Sequence, residues 1–217
     1  MLVFSPKPLD SMSTPLRYSF GLYTLSSTPT TTRSRVLTAT LDLIQRAPGP
    51  ISMGAIAKEA GLSRQALYLI FEDKADLFIG LLRFVDGRRG LVEEIAKIRD
   101  APTGVDALLA LVDMQARLNP GYKSVVDSIE ILRRQDPAAE KAWQDRLDHR
   151  LEGARAIVGR IAAEGRLHPD LDQAIAVDLI WTLMSVATWD DLVTRRGWTA
   201  SEYREHLSAL LLSSLVS

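Results

Sequence analysis

The sequence predicts an all-α protein of about nine helices, and three observations carry that reading. Apolar residues recur at helical spacing in one segment after another from Arg33 to the C-terminus. Strong breakers separate those segments: Pro48-Gly49-Pro50, Gly61, Pro102, Asn119-Pro120, Asp136-Pro137, His168-Pro169 and Gly197. No stretch alternates apolar and polar residues between hairpin turns, and no fixed period repeats.

Residues 1–32 stand apart from this pattern, being rich in Ser, Thr and Pro without helical periodicity. A segment so poor in apolar surface does not offset its ordering entropy and is expected to be a disordered extension. A DNA-contacting arm using Lys7, Arg17 and Arg33 is the alternative, disfavoured by so sparse a positive charge. The first helix carries Val36, Leu37, Thr40, Leu41 and Ile44, and Pro48-Gly49-Pro50 stops it. Helical patterns then resume over 53–60, 64–71, 75–97, 104–118, 121–134, 138–164, 171–195 and 201–216.

Composition narrows the function classes. At 217 residues the chain makes one sizeable domain or two small ones sharing an interface. Hydrophobic residues at 47% against 24% charged exclude wholesale disorder. The absence of cysteine excludes disulfides, thiolate zinc sites and cysteine nucleophiles, and fits a reducing compartment. The richest apolar stretch, Leu179 to Ala187, lies between Asp178 and Asp190 and is too short to span a bilayer. With no secretory signal pattern at the N-terminus, a cytoplasmic protein without membrane attachment is expected. His149, His168 and His206 are far apart, and no Glu-x-x-His pair, phosphate-binding glycine loop or G-x-S-x-G elbow appears. No enzyme, cofactor or metal site is therefore expected. The net charge of −1 is distributed weakly, with residues 1–32 at +1, residues 33–76 at +1 and the remainder at −3. Such a balance is compatible with a small nucleic-acid surface but does not select one.

The informative stretch runs from Ile51 to Tyr68. Ser52 is placed to cap a short helix whose inner face is Met53, Ile56, Ala57 and Ala60. Gly61 follows where a helix end needs a left-handed residue, Leu62 enters the core, and Ser63 caps the next helix. Two short helices joined by such a turn form a helix-turn-helix. The second opens with Arg64, Gln65 and Ala66, side chains matched respectively to guanine, adenine and the thymine methyl. Recognition helices place such residues in the first turn, the end that enters the major groove. Tyr68 is suited to a phosphate, Lys74 to clamping the backbone, and Ser52 with the first N–H groups of its helix to a further phosphate. The fragment A-x-x-x-A-G-L-S occurs also in purely structural hairpins. Its continuation through Leu67-Tyr68, Phe71, Lys74 and Leu77 points to DNA, because an exposed Tyr and Lys have no core role there.

From Ile56-Ala57 through Ala60-Gly61-Leu62-Ser63 and Leu67-Tyr68 to Phe71-Glu72-Asp73-Lys74-Ala75-Asp76-Leu77, residues 36–82 resemble the TetR (tetracycline-repressor-like) family of regulators. The resemblance implies a homodimer whose two heads occupy successive major grooves of a palindromic double-stranded operator. It implies a repressor released when a small-molecule effector fills a pocket in the body. By position it gives Arg64, Gln65, Ala66 and Tyr68 the recognition role and Lys74 the phosphate contact. The family often has His two residues after the Tyr; Ile70 stands here, which puts one backbone contact in doubt.

The expected organisation is an N-terminal extension over 1–32, a three-helix helix-turn-helix head over 33–80, and a helical ligand-binding and dimerising bundle over 81–217. Segment 171–195 is apolar on more than one face, and 201–216 places Tyr203, Leu207, Leu210, Leu211 and Leu215 near helical spacing. The resemblance makes these last two segments the dimer interface. Phe84, Met114, Gln115, Tyr122, Trp143 and Trp181 are the candidate pocket residues, and their character favours an apolar effector. The rival readings are a helical protein-interaction module and a ligand-independent DNA-binding activator.

Overall fold

The computed structural model describes residues 31–46 and 49–217, apart from the side chains at 121, 122 and 124. The expectations for residues 1–30 and for Pro48 as a helix stop fall outside the described residues.

Four helices build the N-terminal end: α1 (Thr32–Arg46), α2 (Met53–Glu59), α3 (Arg64–Tyr68) and α4 (Lys74–Arg88). The first begins slightly earlier than the sequence predicts. Thr31 Oγ1 accepts from Ser34 N at 3.2 Å, so Thr31 caps the helix and Thr32 is its first residue. Val36, Leu37, Ile44, Ile56, Leu67, Phe71, Leu77, Phe78 and Leu81 are all buried in one cluster. Arg33 is part of that assembly: its guanidinium lies 4.2 Å from the Phe71 ring centroid and donates to the Ile70 carbonyl at 2.9 Å. The side chain considered for a DNA arm instead bolts α1 to the end of α3.

The body follows as α5 (Leu91–Arg99), α6 (Gly104–Arg133), α7 (Pro137–Ala163), α8 (Gln173–Leu183), α9 (Val186–Trp189), a π-helical turn (Asp190–Arg195) and α10 (Ala200–Leu215). The described residues thus hold ten α-helices and one π turn instead of about nine helices, and three local effects account for the difference. The predicted helix 75–97 is broken at Gly90, whose φ of 75° is left-handed and begins α5. The predicted helix 171–195 is broken where Ser185 turns extended and accepts from Thr188 N at 3.0 Å, capping α9. The predicted helices 104–118 and 121–134 are one. Pro120 lies inside α6 although it supplies no N–H to the helix, a defect worth about 3 kcal/mol. The buried stripe continues across it, with Val112, Ala116 and Asn119 before and Val125, Ile129 and Leu132 after, and that packing carries the helix through.

At 30 residues α6 is about 45 Å long and serves two cores. Its second half and the start of α7, including Ala142 and Trp143, join the cluster of α1–α4. Its first half packs with Ile157 and Ile161 of α7, with α8, and with Tyr203, Leu207, Leu211 and Leu215 of α10. Leu210, on the other side of α10, is 47% exposed, and Ile175 of α8 is 52% exposed. Among the described residues no helix is long and apolar enough to cross a membrane.

Candidate nucleic-acid interface and body cavity

The helix-turn-helix is assembled from two serine caps and one glycine. Ser52 Oγ accepts from Ala55 N at 3.1 Å and opens α2. At its far end Leu62 N donates to Ala57 O at 2.8 Å while Gly61 takes a φ of 67°, a conformation that costs a side-chain-bearing residue steric strain. Ser63 Oγ then accepts from Ala66 N at 3.0 Å and opens α3. These bonds set the angle between the two short helices, and Leu67, fully buried, fixes the rotation of α3 about its axis.

That rotation presents Ser63, Arg64 and Gln65 to solvent, with Tyr68 42% exposed beside them. The Arg64 guanidinium lies 5.7 Å from the Tyr68 ring centroid, so the two form one polar edge. Ala66, expected to point outward, is half-buried. Ser52 is exposed at the start of α2. Lys74 occupies the first position of α4, as expected, but it is not an idle cation. It pairs with Asp136, the buried N-cap of α7, and its side chain is 27% exposed. Its ammonium also lies 5.8 Å from the Phe78 ring centroid.

The second feature is a cavity of about 850 Å³ among α4, α5, α6, α7, α8 and the π turn. The volume falls in the range of small-molecule sites. Met114, Gln115, Trp143 and Trp181 line it. Phe84, a candidate from the sequence, does not: it is half-buried, with the Arg88 guanidinium 5.5 Å from its ring centroid. The Tyr122 side chain lies outside the described residues.

Sequence reasoning missed the polar half of the cavity wall. Arg146 of α7 donates to both oxygens of Asp86 of α4, at 2.7 and 2.5 Å. One turn further along α7, Arg150 donates through Nη2 to the carbonyls of Trp181 and Met184, at 2.9 and 3.1 Å. Burial pushes the Arg150 guanidinium down to about 10, Arg146 adds to that effect, and Tyr203 opposes it. Asn119, filed under helix breakers because a proline follows, also lines the cavity. The missed signal was an i, i+4 pair of arginines on the apolar stripe that Trp143, Ala154 and Ile157 define on α7. Among the described residues no group of three or more acidic or histidine side chains is placed to hold a metal ion.

Comparison with known proteins places these features. Residues 36–81 match the family profile described as "Bacterial regulatory proteins, tetR family". The nucleoid occlusion factor SlmA of Alteromonas mediterranea is 30% identical over 112 residues, covering 49% of this chain and 56% of that protein. SlmA of a Marinomonas species is 34% identical over 94 residues, covering 41% of this chain and 47% of that one. The chain thus spans about half the length of the curated relatives it matches. The native structure of NalD, the secondary repressor of the MexAB-OprM multidrug efflux pump in Pseudomonas aeruginosa, superposes with a TM-score of 0.62 at 23% identity, covering 85% of this chain and 96% of NalD. The transcriptional regulator FadR of Bacillus subtilis, in complex with stearoyl-CoA, gives 0.62 at 19% identity, covering 83% and 97%. At these identities the structural likenesses establish the shared all-α fold.

Proposed function

We propose that this chain, whose residues 36–81 match the profile of the tetR family of bacterial regulatory proteins, is a DNA-binding transcriptional regulator that represses as a homodimer until an effector fills its body cavity. The observation that carries this reading is the doubly capped helix-turn-helix, whose second helix turns Arg64, Gln65 and Tyr68 outward while Leu67 anchors it. Residues 33–80 form the reading head and residues 81–217 the sensing and dimerising body.

In this reading Arg64 and Gln65 meet base edges in the major groove, and Ala66 lies against a thymine methyl. Tyr68, Ser52 and Ser63 meet phosphate oxygens, which position the head without reading sequence. Lys74 contributes from the start of α4, where a phosphate would compete with Asp136 for its ammonium. The exposed Ile175 and Leu210 on α8 and α10 supply the isologous interface, bringing two heads about 34–36 Å apart to match a palindromic site. FadR was solved with stearoyl-CoA, which supports a small molecule as the release signal. The protein works in the cytoplasm without catalysing a reaction.

Operator selection from a random duplex pool by the purified chain, at fixed salt, tests the reading. Enrichment of a palindrome is expected, and Arg64→Ala or Gln65→Ala should relax the preference at one position per half-site by about 1–3 kcal/mol. A pool that emerges without sequence bias, or a bias indifferent to both substitutions, overturns it.

A further inference from the structure

We propose that the body cavity takes an anionic amphiphile, a molecule with one carboxylate that pairs with Arg150 and an apolar tail that lies along α5, α6 and α8. The inference rests on the reading of this cavity as the effector site and gives that effector a chemical class. It departs from the wholly apolar effector that Met and aromatic residues alone predict.

The cations of the wall are, with few exceptions, already matched. Arg146 is held by Asp86, Lys123 by Asp127 and Asp190, Arg133 by Glu130 and Glu140. Arg83 lies 3.8 Å from Asp145, and Arg134 is exposed to solvent. Arg160 has no carboxylate partner among the described residues, but its guanidinium is taken up by the carbonyls of Ile98, Arg99 and Ala101 where α5 meets α6. Arg150 shares with Arg160 the lack of a carboxylate, but unlike Arg160, which donates through both Nη1 and Nη2, it donates through Nη2 alone. Its bonds are to two carbonyls, both through Nη2, and no carboxylate among the described residues neutralises it. The N–H groups on Nε and Nη1 have no hydrogen-bond partner among the described residues.

A partly buried cation without a counter-ion carries a desolvation cost, which a bound anion would offset. Two further donors accompany it. Asn119 Nδ2 is buried in a residue only 3% exposed, lines the same cavity, and meets no acceptor among the described residues. Tyr203 Oη, which interacts electrostatically with Arg150, is likewise buried and without a partner among the described residues, although Tyr203 does not itself line the cavity. A guanidinium with open N–H groups and no carboxylate partner, beside an amide donor wanting an acceptor, describes a site for a carboxylate. Arg150 is also held in place: the two carbonyls fix it, and the Trp181 ring centroid lies 5.5 Å from its guanidinium carbon. The wall also carries aliphatic side chains, with Leu91, Ile95 and Ile98 from α5, Leu111 and Met114 from α6, and Ile180 from α8. A guanidinium anchor and aliphatic side chains within one cavity fit an alkyl or aryl carboxylic acid.

Calorimetry on the full chain, without DNA, tests the proposal with three probes of equal tail: decanoate, decanol and decyltrimethylammonium. Decanoate should bind about ten- to a hundredfold more tightly than decanol, the worth of a charge-assisted hydrogen bond, and the cation should bind least. Arg150→Gln should erase the decanoate advantage and Arg150→Lys should restore part of it, while Asn119→Asp should repel decanoate. The comparison among probes on the unaltered chain decides the matter even if a variant does not fold. Equal binding of decanoate and decanol, or no binding of decanoate, overturns the proposal and leaves Arg150 as a cap on the end of α8. Operator selection is a separate measurement: a chain that selects a palindrome but ignores decanoate defeats this inference alone. One that binds decanoate without any operator preference defeats the regulator reading alone.

Discussion

Lys74 and Asp136 form an ion pair that ties the first residue of α4 to the N-cap of α7. Asp136 is buried there, its side chain 6% exposed, and it also accepts from Ala138 N at 3.1 Å. The lysine expected from sequence to hold only DNA thus fastens the base of the head to the body. Removing one member of a largely buried pair leaves the other uncompensated. Lys74→Met should therefore lower unfolding stability by about 1–3 kcal/mol in urea, in the absence of any DNA. Unchanged stability would mean that the ammonium serves phosphates alone.

Ser63 caps α3 and, in the proposed function, also meets a phosphate; a pair of substitutions separates the two. As the N-cap of a helix only five residues long, it satisfies Ala66 N. Ser63→Ala should cost about 1 kcal/mol of stability and weaken operator binding as α3 loosens. Ser63→Asp should keep the cap and the stability, yet still weaken DNA binding because a carboxylate faces phosphates. Urea titrations beside gel-shift affinities report the two effects independently. Full DNA affinity in Ser63→Asp would remove Ser63 from the interface.

The self-association surface proposed on α8 and α10 has its own test. Ile175→Glu combined with Leu210→Glu places carboxylates where α8 and α10 expose apolar side chains, outside the intrachain core. Sedimentation should show the pair of changes converting a dimer to a folded monomer, with helicity retained. A dimer that survives both changes lies on another face.

Acid stability is concentrated partly at Glu94, buried on α5. Burial alone would push its carboxyl up, but hydrogen bonds and charge from Lys97 and Arg117 outweigh that and hold it below the usual value. A carboxylate depressed on folding contributes stability that is complete above its unfolded value, about 4.3, and vanishes as pH falls through the folded value. Glu94→Gln should therefore be about 1–3 kcal/mol less stable at neutral pH. The two proteins should converge well below the carboxylate range. A difference that persists in acid would assign the loss to packing.

What could be read from the chain followed from how local each device is. The head was legible because its caps, its left-handed glycine and its buried leucine act within a few residues of one another: Ser52 on Ala55, Ser63 on Ala66, Gly61 between them. The body was not, for the opposite reason. Pro120 reads as a helix end by itself, and only the stripe from Val112 to Leu132, packed on other helices, carries α6 through it. Met184-Ser185 carries no strong breaker, yet the chain leaves the helix there because Ser185 caps a new one. Arg150 looked like any surface arginine until α8 was folded over it, its two partners lying 31 and 34 residues away. A separation of 60 residues hid the Asp86–Arg146 pair.

Helix α4 passes through residue 80 without interruption, and its buried residues Leu81, Leu82 and Val85 belong to the cluster that α1, α2 and α3 also fill. Grafting this head onto a foreign body, or this body onto a foreign head, is therefore not a matter of splicing at the end of the recognisable motif. A junction there would sever a helix and leave half of the head's apolar floor behind. Exchange has to be made after Arg88, at the left-handed Gly90, and the recipient must offer counterparts of Val125, Ile129, Leu132 and Trp143. Specificity for operators and specificity for effectors can be recombined in this architecture only along a seam that carries these contacts with it.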